Sequence, residues 1–326
     1  ITVKHGVFHL QNEKNSYLFR VRDGFLEHLH FGARVSASDA DALAVRPGCG
    51  WGDSTLYREG SNADCLDILP LEWSGCGRGD YRESPVELAQ NGQPVSTEFR
   101  YTGCEALRAP LPSALPASRG QTILAVYLED SAAKLRLTLL YGVLPTVITR
   151  RVILENCGDT PVSIRKLMSC CTDLPGDWAL HTFSGGWIAE MQHTETPVTM
   201  ARICLESTTG ASSSRANPGL LLAAPDASET AGEAYGFNLL YSGSHYLSAQ
   251  KSLQGLTRVM QGISPANFSW ELAPGGRFET PEAVMAWSDV GFGGVTDCFG
   301  RYVNEALIPP YWKNRPRPIV YNSWEG

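Results

Sequence analysis

Val147-Ile-Thr-Arg-Arg-Val-Ile-Leu-Glu155, Asn156-Cys-Gly-Asp-Thr-Pro161 and Val162-Ser-Ile-Arg-Lys-Leu-Met-Ser-Cys170 run consecutively, and their reading decides the fold. The first and third segments alternate with a period of two, as half-buried strands do, because successive side chains in a strand point to opposite faces. The middle segment supplies Asn, Gly, Asp and Pro, the residues of a tight turn. Working outward, Ser16–Arg22 and Lys134–Leu140 repeat the alternation. Leu26–Phe31, Ile123–Leu128, Leu220–Ala224, Gly236–Tyr241 and Phe268–Leu272 are further strand candidates. Turn signals recur about every ten residues, the spacing of a large antiparallel sandwich. The 32 glycines and 20 prolines suit those turns.

One stretch has helical periodicity. Val295, Phe299, Tyr302, Val303, Ala306 and Leu307 share a face, which predicts a helix over Val295–Leu307, after Gly291-Phe-Gly-Gly294 and before Pro309-Pro310. Pro47–Pro85 is different. It is rich in Gly, Cys, Asp and aromatics with no period, and so long an irregular segment is usually functional or mobile. Beyond Pro316 and Pro318, a short apolar strand is expected at Ile319–Tyr321. It ends in Asn322, Trp324 and Glu325, a group suited to a binding site at a strand's carboxyl end. That ending predicts a segment of a longer enzyme.

At 326 residues the chain is long enough for a large core, and 43% hydrophobic with 19% charged residues describes a globular protein. A net charge of −7 argues against nucleic acid, which requires a basic face. No apolar run approaches the roughly 20 residues that span a bilayer. The amino terminus, Ile1-Thr-Val-Lys-His-Gly6, has no signal-peptide pattern. Nine cysteines include no Cys-x-x-Cys pair, so they read as reduced thiols used as small hydrophobes in a cytoplasmic protein. The adjacent Cys170 and Cys171 would point to opposite faces of their strand.

Local signals for chemistry are sparse. His28 and His30, at i and i+2 on a strand, would share a face and could bind a metal, but no third ligand is evident. Ser212-Ser213-Ser214 lacks a nucleophile-elbow context. Asp173 with Asp177, or Asp64 with Asp67, could serve glycosidic cleavage, but spacing in sequence does not measure a carboxylate separation. Trp51, Trp73, Trp178, Trp187 and Trp270 either fill a core or stack on sugar rings, and core is the plainer reading for each.

An ordered series of segments resembles the amino-terminal domain of glycoside hydrolase family 36, the α-galactosidases. It begins with Phe8-His-Leu10, Ser16-Tyr17 and Phe31-Gly32, then Leu66-Asp67, Gly79-Asp-Tyr-Arg82 and Asn217-Pro218. Gly232-Glu-Ala-Tyr-Gly-Phe-Asn-Leu-Leu-Tyr-Ser-Gly243 is the fullest match. Gly262-Ile263, Phe268-Ser-Trp270, Pro274-Gly275 and Phe278-Glu-Thr-Pro-Glu282 follow. Arg317-Pro-Ile-Val-Tyr-Asn-Ser-Trp-Glu325 resembles the first barrel strand.

The resemblance implies an all-β, galactose-mutarotase-like β-supersandwich over 1–308, with a linker helix near 295–307. Residues 309–326 would be a linker and the first strand of a truncated (β/α)8 barrel. It implies a retaining α-galactosidase acting on oligosaccharides such as raffinose or melibiose, with no metal or organic cofactor. The family's two catalytic aspartates end later barrel strands, beyond Gly326, so no catalytic residue is expected here and the chain alone should be inactive. Trp324 falls on a tryptophan that lines the galactose pocket. In tetrameric members a loop reaches a neighbouring subunit's site through an aspartate and an arginine. Asp53 falls on that aspartate. Asn62 stands at the arginine's place, with Arg58 the nearest substitute, so the expected substrate-binding residues are Trp324, Asp53 and Arg58. Ser214 replaces a family histidine, and Gly326 an alanine.

Two readings from other classes stay open. A stand-alone carbohydrate-binding module would show a row of exposed aromatics, which the sequence does not display. A mutarotase-like epimerase needs a histidine facing a carboxylate, for which His181 or His193 with Glu190 or Glu195 are the candidates.

Overall fold

Ile148–Asn156 pairs with Leu135–Val143 over its whole length and with Glu282–Ser288 on its other side, in the interior of a 10-stranded sheet. The computed structural model describes residues 1–45, 65–77, 79–109, 111–212 and 215–324. The order across this sheet is Ala189–Pro197, Ala179–Gly186, Ala216–Ala223, Ala234–Leu240, Glu282–Ser288, Ile148–Asn156, Leu135–Val143, Thr122–Asp130 and Arg100–Leu107, with Arg277–Glu279 also paired to Ile148–Asn156. A 7-stranded sheet runs Ile203–Ser207, His245–Lys251, Leu256–Ile263, Val162–Pro175, Val86–Gln90 and Gln93–Val95, with Trp270–Leu272 added to Val162–Pro175. A 4-stranded meander of Thr2–Lys4, Val7–Gln11, Asn15–Arg22 and Phe25–Ala33 completes the sandwich. The ladders between named strands are antiparallel, so the all-β supersandwich expected from the alternation is the observed class.

The main core draws on all three sheets: Phe8 and Tyr17 from the meander, Leu137 and Val152 from the large sheet, Ile164 and Leu247 from the third. Ile148–Asn156 is not half-buried as its alternation suggests. Val152 and Leu154 enter the main core, whereas Ile153 joins a second cluster on the other face with Ile123, Ala125 and Leu140. Both arginines are therefore covered, Arg150 at 1% and Arg151 at 3% exposure. Cys170 and Cys171 do face opposite ways, into separate clusters. The eight described cysteines are free thiols.

The helix begins earlier than its apolar periodicity indicates. It runs Gly291–Tyr302 and continues as a π-helical turn over Val303–Leu307. Gly291-Phe-Gly-Gly294, expected to precede the helix, is its first turn. Gly291 has φ +74, and a β-carbon there would lie 2.0 Å from the Ser228 carbonyl oxygen, so only glycine admits this approach. Val295, Cys298, Tyr302 and Ala306 then pack on Ala234, Val284 and Ala286 of the large sheet.

Ile319–Tyr321 forms no strand. A strand requires a neighbouring ladder, and none of the described residues supplies one, so Ile319, Val320 and Tyr321 are 101%, 82% and 82% exposed. No helix among the described residues is long and apolar enough to cross a membrane.

Candidate functional site

The later part of the irregular Pro47–Pro85 stretch is held by the core. Leu66, Ile68, Leu69, Leu71 and Trp73 are buried. Glu72, fully buried beside them, accepts hydrogen bonds from Tyr17 (2.9 Å) and Tyr141 (2.7 Å) and lies 2.6 Å from His28 Nδ1. Arg150 stands 3.3 Å away. Burial works to raise the Glu72 carboxyl, but Arg150 and His28 outweigh it and hold it below the usual range.

A second clamp grips the same segment ten residues on. Arg82 donates to Asp80 (2.8 Å), to Asp173 (3.1 Å), and to the carbonyls of Leu66 and Leu69 (2.9 and 2.8 Å). Arg258, on the Leu256–Ile263 strand, donates to Asp173, Asp80 and the Glu83 carbonyl. Asp67 accepts from the Tyr81 backbone N–H, which closes the loop on itself. Burial raises the Asp80 and Asp173 carboxyls, but Arg258 and Arg82 prevail and keep both ionised. Asp67 goes the other way: burial pushes its carboxyl up, aided by Asp80.

The two arginines of the clamp, Arg82 and Arg258, line an open cleft of about 550 Å³. One wall is the Cys65–Ile68 and Tyr81–Glu83 segments, and the other is Met200, Arg202 and the Gln250–Gln254 turn. Glu83 ties the walls together, receiving Lys166 (2.7 Å), Tyr246 (2.7 Å) and Ser248 (2.9 Å), with Arg202 at 3.3 Å. Burial tends to raise its carboxyl, and Lys166 with these hydrogen bonds reverses that. A perturbed carboxyl and convergent polar groups in a roomy cleft mark it as the candidate site.

The three residues expected to bind substrate are not gathered there. Trp324 is 89% exposed, and its backbone N–H donates to Asn322. Asp53 and Arg58 lie outside the described residues, as do Trp51, Tyr57, Asn62, Asp64, Ser213 and Ser214. His28 and His30 do not converge on a metal. The ladder slips beside them, His28 turning to Glu72 and His30 to the Ala33 carbonyl (2.7 Å). No described cluster of three or more His, Cys, Asp or Glu has metal-binding geometry. Asp173 and Asp177 are not an acid pair, since the first is buried in the clamp and the second pairs with Lys251 at the surface. His181 Nδ1 and His193 Nε2 do meet, at 2.8 Å, with Glu195 opposite His181 in the ladder. They lie at the outer edge of the large sheet and do not line the cleft. Trp73 and Trp178 fill the core, whereas Trp187 and Trp270 are exposed.

A family model described as the glycosyl hydrolase family 36 N-terminal domain matches residues 24–273. The chain belongs to glycosyl hydrolase family 36. A second model, melibiase, matches residues 277–326 of this family 36 chain. It is 33% identical over 332 residues to the probable alpha-galactosidase G of Aspergillus terreus, covering 98% of this chain and 44% of that protein. With alpha-galactosidase AgaA of Geobacillus stearothermophilus the identity is 32%, over 98% of this chain and 45% of AgaA. The alpha-galactosidase structure from Lactobacillus brevis superposes with a TM-score of 0.92 at 27% identity, covering 100% of this chain and 45% of that one. A variant of AgaA in complex with raffinose superposes with a TM-score of 0.91 at 31% identity, over 98% of this chain and 46% of that one. The family 36 chain thus spans less than half the length of these relatives, and corresponds to their amino-terminal part.

Proposed function

We propose that this chain is the non-catalytic amino-terminal domain of a retaining α-galactosidase, acting in assembly and at the rim of the active site. The observation that carries this reading is the family 36 match over 24–273, running into a melibiase match over 277–326. The division proposed is a supersandwich with its helix over 1–308 and the start of a catalytic barrel over 309–326. Substrates of the longer protein are α-galactosyl oligosaccharides of the raffinose and melibiose type; the raffinose-bound AgaA variant supports that class. Trp324 would line the galactose pocket, and Asp53 with Arg58 would reach a neighbouring subunit's site in a homo-oligomer. The doubly clamped Cys65–Glu83 segment supports the rim role, because it gives such a loop a rigid base. The free cysteines fit a cytoplasmic location.

The test is hydrolysis of p-nitrophenyl α-galactoside by this chain alone and by the longer protein that contains it. The longer protein should turn over and this chain should not. Turnover by the chain that survives repurification, or none by the longer protein, would refute the assignment.

A further inference from the structure

We propose that the cleft between Tyr81 and the Gln250–Gln254 turn binds a neutral polyhydroxylated ligand, an α-galactosyl oligosaccharide of two or three rings. From residue types alone it looks like an anion site, since Arg82, Arg202, Lys251 and Arg258 all line it. The geometry says otherwise. Arg82 and Arg258 spend their donors on Asp80, Asp173 and three backbone carbonyls. Arg202 faces Glu83, and Lys251 faces Asp177. Lys166 shares Glu83 with Arg202, so five cations stand with five carboxylates, Asp80, Asp173, Glu83, Asp177 and Asp67, and an entering anion finds no net positive charge.

What the cleft leaves free is suited to a sugar. Tyr81 is 65% exposed, with no described partner for its hydroxyl, so its ring face is available to the C–H face of a pyranose. Gln254 lines the cleft half-buried, and its amide has no partner among the described residues. The Gln250 amide is held in place by the Met200 carbonyl (2.8 Å) and Arg202 (3.4 Å). Planar amides can donate to and accept from adjacent hydroxyls, the pattern a polyol offers, and Asp67 lines the cleft beside them. The volume of about 550 Å³ lies in the ordinary range for small-molecule sites. The polyol class follows from these groups. The α-galactosyl class rests on the family reading above.

The test is saturation-transfer NMR on this chain with raffinose, with maltotriose as a glucose oligomer of equal size, and with inorganic phosphate. Raffinose should bind at millimolar concentration. Tyr81→Ala and Gln254→Ala should each weaken it about 5- to 30-fold, and Tyr81→Phe by no more than about 3-fold. Both positions are solvent-accessible, so unchanged thermal melting checks that the variants fold. Equal binding of maltotriose would overturn the α-galactosyl assignment. No transfer from either sugar, displacement of raffinose by phosphate, or full binding by both alanine variants would overturn the site. None of these results touches the proposed function, which is decided by hydrolysis in the longer protein.

Discussion

Arg258 grips Asp173 side-on, with Nε 2.7 Å from Oδ1 and Nη2 2.8 Å from Oδ2, and both side chains are almost wholly buried. The bidentate form is the strongest arrangement for such a pair. Here it does more than join two neighbouring strands. Through Asp80 and the Glu83 carbonyl it fixes the irregular segment to the sheet.

Removing Arg258 should therefore cost far more than removing a surface charge. Arg258→Met leaves Asp80 and Asp173 sharing only Arg82, and breaking a buried pair costs about 3–5 kcal/mol. Urea unfolding followed by tryptophan fluorescence should show a loss of this size. A change below about 1 kcal/mol would mean that water enters the clamp and replaces the guanidinium.

Acid should destabilise the fold. Glu72, Asp80, Glu83 and Asp173 all have native pKa values below their ordinary ones. Their contribution is complete above the unfolded carboxyl range near pH 4, and is lost as pH falls through the lower native values. His181 and His245, kept neutral by burial, act in the same direction below about pH 6.5. Melting temperature should hold near neutrality, decline gently from about pH 6.5, and fall steeply below about pH 4. A melting temperature that climbs toward pH 3 would show that these carboxylates are unpaired in solution.

Two glycines near the helix should respond oppositely to alanine. A β-carbon at Gly236 would lie 2.4 Å from both Val295 and Phe299, so Gly236→Ala should push the helix off the sheet at a cost of about 1–3 kcal/mol. Gly300 lies in the same helix with open space around it, so Gly300→Ala should stabilise by about 0.5–1 kcal/mol. Equal effects of the two in parallel denaturation curves would contradict this packing.

Amide exchange should divide the chain sharply. Val152 and Leu154 lie in an interior strand and should exchange only on global opening. Ile319, Val320 and Tyr321 should exchange within the dead time of the measurement in this chain alone. Protection of Ile319–Tyr321 in a monomeric sample would reveal a ladder that the structure lacks.

In the longer enzyme, Asp53→Ala should raise KM for raffinose-type substrates roughly 5- to 100-fold, with kcat less affected, as expected when one or two sugar hydrogen bonds are lost. Unchanged kinetics with the oligomer intact by light scattering would leave Asp53 an ordinary turn residue.

Local alternation was enough to locate Asn15–Arg22, Leu135–Val143, Ile148–Asn156 and the start of Val162–Pro175, because side-chain direction in a strand depends only on the neighbouring residues. It failed where the surroundings differ from half-burial. Glu282–Ser288 is buried throughout and has no polar beat, whereas Ala189–Pro197 is nearly all exposed and has no apolar one. The ordered family segments carried the fold and the family. Two of them, Leu66-Asp67 and Gly79-Asp-Tyr-Arg82, prove to touch through Asp67 to Tyr81 and Arg82 to Leu66. The cleft itself had no sequence signature. Its lining arginines, Arg82 and Arg258, pair behind it with Asp173 and Asp80, up to 178 residues apart, and its charge balance exists only once those residues are brought together. Sequence fixes what each residue prefers locally, but the exclusion of water that makes these ion pairs strong and mutually neutralising arises only when the sheets close over them.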